Sequence, residues 1–198
     1  ELQLSVSLNS IVGQKLVAHV EGQYPTISAK IRRGAPTATT HSFDAPDLDT
    51  LMNRYPFMQR IGPNAIQIEK GKWKIDEMLI LPEGTALHIQ PATQLAFKSN
   101  AGIILKGPLI AQGTPSEPVL FDSASPDALW SGILILNAHE QSHLEHVHFT
   151  NLDYFRRQNI QLTGAITVYQ SPIKLNHVRI TNSQAEDALN IVRSQAAI

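Results

Sequence analysis

His143-Leu-Glu-His-Val-His-Phe-Thr-Asn151 returns 31 positions later as Lys174-Leu-Asn-His-Val-Arg-Ile-Thr-Asn182. Five of the nine positions are identical: Leu144/Leu175, His146/His177, Val147/Val178, Thr150/Thr181 and Asn151/Asn182. A sixth pair, Phe149/Ile180, stays apolar. Self-similarity at a period of a few tens of residues marks a repeat architecture. The repeated unit alternates apolar and polar side chains, as a half-buried strand does, rather than at helical spacing. Stacked strands of this kind make a β-solenoid, so the chain reads as all-β.

The repeat extends in both directions. Ala165-Ile-Thr-Val-Tyr-Gln-Ser171 aligns on Ala188-Leu-Asn-Ile-Val-Arg-Ser194 at an offset of 23. Gly132 aligns on Gly164 at an offset of 32, with the surplus in the polar insert Leu152 to Leu162. A solenoid tolerates such variation because insertions bulge from turns. From about residue 65, short strands come every 8 to 12 residues, split by Gly, Pro, Asn or Ser. They include Ala86–Ile89, Gln94–Phe97, Leu109–Ala111, Val119–Phe121 and Gly132–Leu136. A β-sandwich also has short, regular strands, but it needs no internal repeat and ranks second. Equivalent residues on stacked strands form ladders. Val147/Val178 and Phe149/Ile180 should point inward, and Asn151/Asn182 should form an asparagine ladder at the turn. Gly107, Gly113 and Gly132 are expected where turns need unusual backbone angles.

Upstream the pattern differs. Residues 1–34 read as a small β segment, with strands at Leu2–Leu8, Leu16–Val20 and Thr26–Arg32, and fit the tail of an upstream domain. Residues 35–64 read as a linker and a capping helix. Asp47 is its N-cap, Leu48, Leu51 and Met52 recur at helical spacing, and Pro56 ends it. Residues 65–198 are the solenoid, of about five coils. Ile198 aligns on Leu175, part-way through a strand. An open end would expose core and strand edges, so the expectation is a truncated C-terminus and a parent chain that continues. The opening Glu1-Leu-Gln-Leu without Met fits a processed or cut form.

Composition narrows the function. Hydrophobic residues make up 42%, charged residues 17%, and the net charge is −1. That balance argues against general attraction to nucleic acid. No stretch approaches the ~18 to 20 apolar residues of a membrane span. With no cysteine, disulfides, thiol catalysis and Cys-ligated zinc are excluded. No cofactor is expected.

Residues 65–198 resemble the right-handed parallel β-helix repeat families of bacterial secreted and surface proteins. The resemblance rests on Leu81-Pro-Glu-Gly-Thr-Ala-Leu-His-Ile-Gln-Pro91, Gly107-Pro-Leu-Ile-Ala-Gln-Gly-Thr114, Pro118-Val-Leu-Phe121, Trp130-Ser-Gly-Ile133 and the repeated strands above. It covers about two thirds of the chain and implies a secreted or cell-envelope location in a bacterium. It is silent on activity, because such a fold hosts lyases, hydrolases, adhesins and spacers alike.

Three groups of residues are candidates for a site. His139-Glu-Gln-Ser-His143 matches H-E-x-x-H, whose chemistry needs both imidazoles on one helical face. Here it falls between strands, which leaves His139 and His143 as weak metal candidates. His146, His148, His177 and Arg179 should share an outward strand face, fit for a divalent metal or a sugar ridge. A solvated strand face is the simpler account. In the insert, Tyr154 and Phe155 could stack on sugar rings while Arg156 and Arg157 pair with carboxylate or sulfate, or the aromatics could pack back onto the coil. Paired carboxylates such as Glu186-Asp187 or Asp122 and Asp127 show neither glycosidase nor lyase arrangement. The expectation is a non-catalytic scaffold or a glycan- or protein-binding surface. The alternative is a lyase or hydrolase of an acidic polysaccharide. The expected partners are a polysaccharide, another surface protein and the rest of the parent chain.

Overall fold

A computed structural model of the chain describes residues 43–157 and 160–198, together with the backbone of 15–18 and 27–30. Two compact units are present, Glu1–Ser42 and Phe43–Ile198. In the first, β1 (Lys15–Ala18) and β2 (Ile27–Lys30) pair antiparallel with Leu16 opposite Ala29. The expected strand Leu2–Leu8 and residues 35–42 of the linker lie outside the described residues.

The second unit opens with helix α1 (Leu48–Arg54). Asp47 caps it, its Oδ1 accepting from the Thr50 N–H at 2.7 Å. The Thr50 backbone N–H, and after it the Thr50 hydroxyl, hold the pKa of that carboxylate below the ordinary carboxyl value, with smaller help from the Asp49 and Asp47 N–H groups. Leu48 and Leu51 are one turn apart, so both reach the main buried cluster, as does Tyr55. β3 (Met58–Gly62) then pairs antiparallel with β4 (Ala65–Ile68).

From there every ladder is parallel except that of one small hairpin. The next strands are β5 (Lys72–Ile75), β6 (Leu79–Ile80), β7 (Ala86–Ile89), β8 (Gln94–Phe97) and β9 (Ile103–Leu105). They are followed by β10 (Leu109–Gln112), β11 (Val119–Ser123), β12 (Ile133–Leu136) and β13 (Ser142–Leu152). Each strand from β7 to β12 pairs with the third strand before it. β13 is long enough to pair with both β10 and β11. After it come a small hairpin, β14 (Arg156–Arg157) with β15 (Ile160–Gln161), then β16 (Gly164–Tyr169), β17 (Ile173–Ser183), β18 (Asp187–Val192) and β19 (Ala196–Ala197). β17 lies on β13, β16 on β12, and β18 on β16. The result is a mostly β unit with one short helix, a ten-stranded and a five-stranded sheet.

The repeat that stands out in the sequence is the physical register. Leu144 faces Leu175, Val147 faces Val178 and Thr150 faces Thr181. The 23-residue offset also holds, with Ile166 on Leu189 and Val168 on Ile191. The Gly132/Gly164 alignment does not. Ile133 pairs with Ile166, an offset of 33, so Gly132 lies over Ala165. Matching the two glycines would slip the strand by one residue and turn Ile133 and Ile135 outward. Gly132 itself has φ +69, and a Cβ there would sit 1.9 Å from the Ala165 carbonyl oxygen. Gly107 and Gly113 serve close approach rather than unusual φ, since a Cβ would meet the backbone of Thr85 and of His146.

Corners recur with the strands. Positive φ is found at His146 and His177, at Asn151 and Asn182, and at Asn137, Gln170 and Arg193. Each set lies at equivalent positions of successive strands, so one backbone bend is repeated level by level. Inside, Phe97 stacks on Trp130 at 4.3 Å and Phe121 on Phe149 at 4.6 Å, all four fully buried. Such pairs contribute about 0.5–1.5 kcal/mol each beyond burial.

Candidate functional site

β13 and β17 carry the histidine cluster. Glu145 and His146 are consecutive and neither is buried, because the chain turns a corner at His146, φ 47°. Strict alternation would bury one of them; the bend re-sets the phase so that Leu144 and Val147 both point inward. The His146 ring stacks on His177 at 4.4 Å. One step on, His148 faces Arg179 and Thr150 faces Thr181, with the two hydroxyls 3.1 Å apart. The structure therefore stacks His146 on His177 and sets His148 opposite Arg179, on either side of that corner.

Much of the polar chemistry beside them is internal. Asn176 donates to Glu145 Oε1 at 2.9 Å, and Gln112 Nε2 lies 3.0 Å from His143 Nδ1. Asn151 donates to Asp122 Oδ1 at 2.8 Å and accepts from the Asn182 amide. These polar groups satisfy one another between levels, and only Asn151 with Asn182 joins like side chains. His139 lies in a bend and His143 in β13, so the H-E-x-x-H pattern lacks the helix its chemistry requires. Among the described residues no group of three or more His, Cys, Asp or Glu side chains is arranged to hold a metal ion.

The insert divides its candidates. Phe155 is fully buried, which corrects its assignment as a sugar-stacking residue. It lies on Ile80, Ile104 and Leu134, with Phe43 and Leu162 alongside. Those three aliphatic residues form the outer row of the five-stranded sheet, in register across β6, β9 and β12. That sheet is apolar on both faces, and the insert covers the outer one. Tyr154 is half-buried under the Arg156 guanidinium at 5.3 Å, and Arg156 also pairs with Asp153 at 3.5 Å. Arg157 packs over the Phe43 ring at 5.8 Å. It borders a cavity of about 460 Å³ with Arg54, Tyr55, Glu77 and Ile80, in which Arg54 and Glu77 form an ion pair. Burial pushes the Tyr55 phenol up, and the Glu77 carboxylate adds to the rise. Gln158 and Asn159 lie outside the described residues.

A second group was passed over in the sequence. Lys74, Asp76, Lys98, Ser99, Asn100 and Ser125 border a groove of about 390 Å³. The pairing of β5 with β8, which sets Lys72-Trp-Lys-Ile75 on Gln94-Leu-Ala-Phe97, also brings Asp76 beside Lys98.

Comparison of the chain with protein-family models, with curated proteins and with solved structures returned no match.

Proposed function

We propose that residues 65–198 form a right-handed parallel β-helix of a secreted or cell-surface bacterial protein, with a non-catalytic role: a rigid scaffold that presents a polar strand face to a glycan or protein. The observation that carries this reading is the ladder. Every strand from β7 to β12 lies on the third strand before it, which is the pairing of a chain winding in three-strand turns. Parallel crossovers within one sheet are almost always right-handed, which supports the hand. Equivalent side chains then repeat at about 4.8 Å, so His148 with Arg179 and Thr150 with Thr181 make a flat, regular surface. A repeating polymer matches a repeating surface. The polar groups there bond mainly to one another, which supports a structural and display role rather than bond cleavage.

Affinity electrophoresis against neutral and acidic polysaccharides tests the proposal, with polymer size followed in the same samples. Retardation without depolymerisation is the expected result. Depolymerisation would replace the reading with the alternative, a lyase or hydrolase of an acidic polysaccharide. Neither effect would leave the scaffold without its glycan.

A further inference from the structure

The groove beside β5, β8 and β11 combines a cleft, unbalanced charge and unpartnered polar side chains. It encloses about 390 Å³, within the ~300–1,000 Å³ of small-ligand clefts. Three neighbouring strands supply its polar groups in turn: Lys74 and Asp76 at β5, Lys98 just after β8, and Ser123 and Ser125 at β11. At the usual strand spacing these levels span about 10 Å. Charge in the groove is unbalanced. The Asp76 carboxylate lies 3.1 Å from Lys98 Nζ and 3.9 Å from Lys74 Nζ, so two ammonium groups share one anion. All three side chains are more than half exposed, and exposed pairs of this kind are weak. A second anion can therefore compete for an ammonium. The Ser99, Asn100 and Ser125 side chains have no hydrogen-bond partner among the described residues and border the same space.

We propose that this groove seats the carboxylate-bearing unit of an acidic oligosaccharide. Lys74 and Lys98 hold the carboxylate, and the serine and asparagine side chains take the ring hydroxyls. The inference rests on reading the fold as a glycan-binding scaffold, and it names the subsite and the sugar class. A uronate fits both halves of the groove, an anion beside several neutral donors and acceptors. A small inorganic anion uses only the lysines.

The test is calorimetric titration of the whole chain with a galacturonate hexamer, its methyl ester and inorganic phosphate. The acid should bind, the ester and phosphate at least about tenfold more weakly, as expected for one lost charge-assisted contact. Lys74→Gln and Lys98→Gln should each weaken hexamer binding about tenfold. Asp76→Asn should tighten it, because the competing carboxylate is gone. Lys106→Gln, whose side chain pairs with Glu83 elsewhere, should leave it unchanged. The Lys74, Asp76 and Lys98 side chains are more than half exposed, so the fold is not at risk there, and a thermal melt checks the fold of the Lys106→Gln control. Hexamer binding that ignores Lys74, Lys98 and Asp76 would overturn the groove and leave the wider reading standing. Phosphate binding as tightly as the hexamer would also overturn it. Binding of no acidic or neutral glycan would remove both.

Discussion

Phe155→Ala distinguishes a loop that binds sugar from a loop that covers a sheet. Phe155 is fully buried on Ile80, Ile104 and Leu134. A phenylalanine buries about 150–250 Å², which at about 25 cal/mol per Å² comes to roughly 4–6 kcal/mol. The alanine keeps part of that, and Phe→Ala in cores costs about 3–5 kcal/mol. The cluster here is one side chain deep, so the insert can settle and the cost should be about 3 kcal/mol. The loss should fall locally. The insert is tied down by Asp153 N–H to the Trp130 carbonyl at 2.8 Å and Leu162 N–H to the Phe155 carbonyl at 3.0 Å. Losing about 3 kcal/mol there speeds hydrogen exchange of 153–157 and 160–163 about a hundredfold. β8 and β11 should exchange as before. Peptide-resolved exchange by mass spectrometry reads both regions, and a hydrophobic dye should bind the uncovered face. Unchanged exchange in the insert combined with lost glycan retardation would refute the reasoning and make the ring a ligand contact.

Three further outcomes follow from the geometry. Gly132→Ala combines an unfavourable φ of +69° with a Cβ 1.9 Å from a neighbouring backbone oxygen; we expect a loss of at least about 3 kcal/mol in urea unfolding, and a loss below about 1 kcal/mol would mean the Ile133/Ile166 register is wrong. Asn151, φ 61°, bridges Asp122 and Asn182, so Asn151→Ala should destabilise by about 2 kcal/mol and Asn151→Gly by about 1 kcal/mol, since glycine removes the backbone cost but not the lost amide; thermal melts decide the order, and equal melts would discount the bend. The Asp47 cap holds its carboxyl below the ordinary range through the Thr50 N–H. Its contribution should be complete above the unfolded carboxyl value of about 4 and fade as pH falls through the lower folded value. Asp47→Asn should keep the Thr50 amide shift in NMR spectra and abolish its movement with pH, whereas a shift that still titrates would assign the effect to another group.

Sequence alone determined the strand spacing, the offsets of 31 and 23, the capped helix and the asparagine ladder. Each is written locally, in alternation, in turn residues or in a single side-chain oxygen three residues from its donor. The same reading paired His146 with His177 and His148 with Arg179, because a constant offset carries side chains with it. Other features waited for the tertiary structure. Alternation predicted His146 outward without its bend, where φ 47° resets the phase between Leu144 and Val147. Two matching glycines suggested an offset of 32, while the ladder sets Ile133 on Ile166 at 33. The insert looked like a polar loop, yet Phe155 serves a sheet whose outer row, Ile80, Ile104 and Leu134, is drawn from three distant strands. Lys74, Asp76 and Lys98 became neighbours only when β5 and β8 met. The division has one physical cause. Backbone preference and alternation act between residues a few positions apart, whereas burial of a face, and the sharing of a charge, depend on chain segments brought together only by folding.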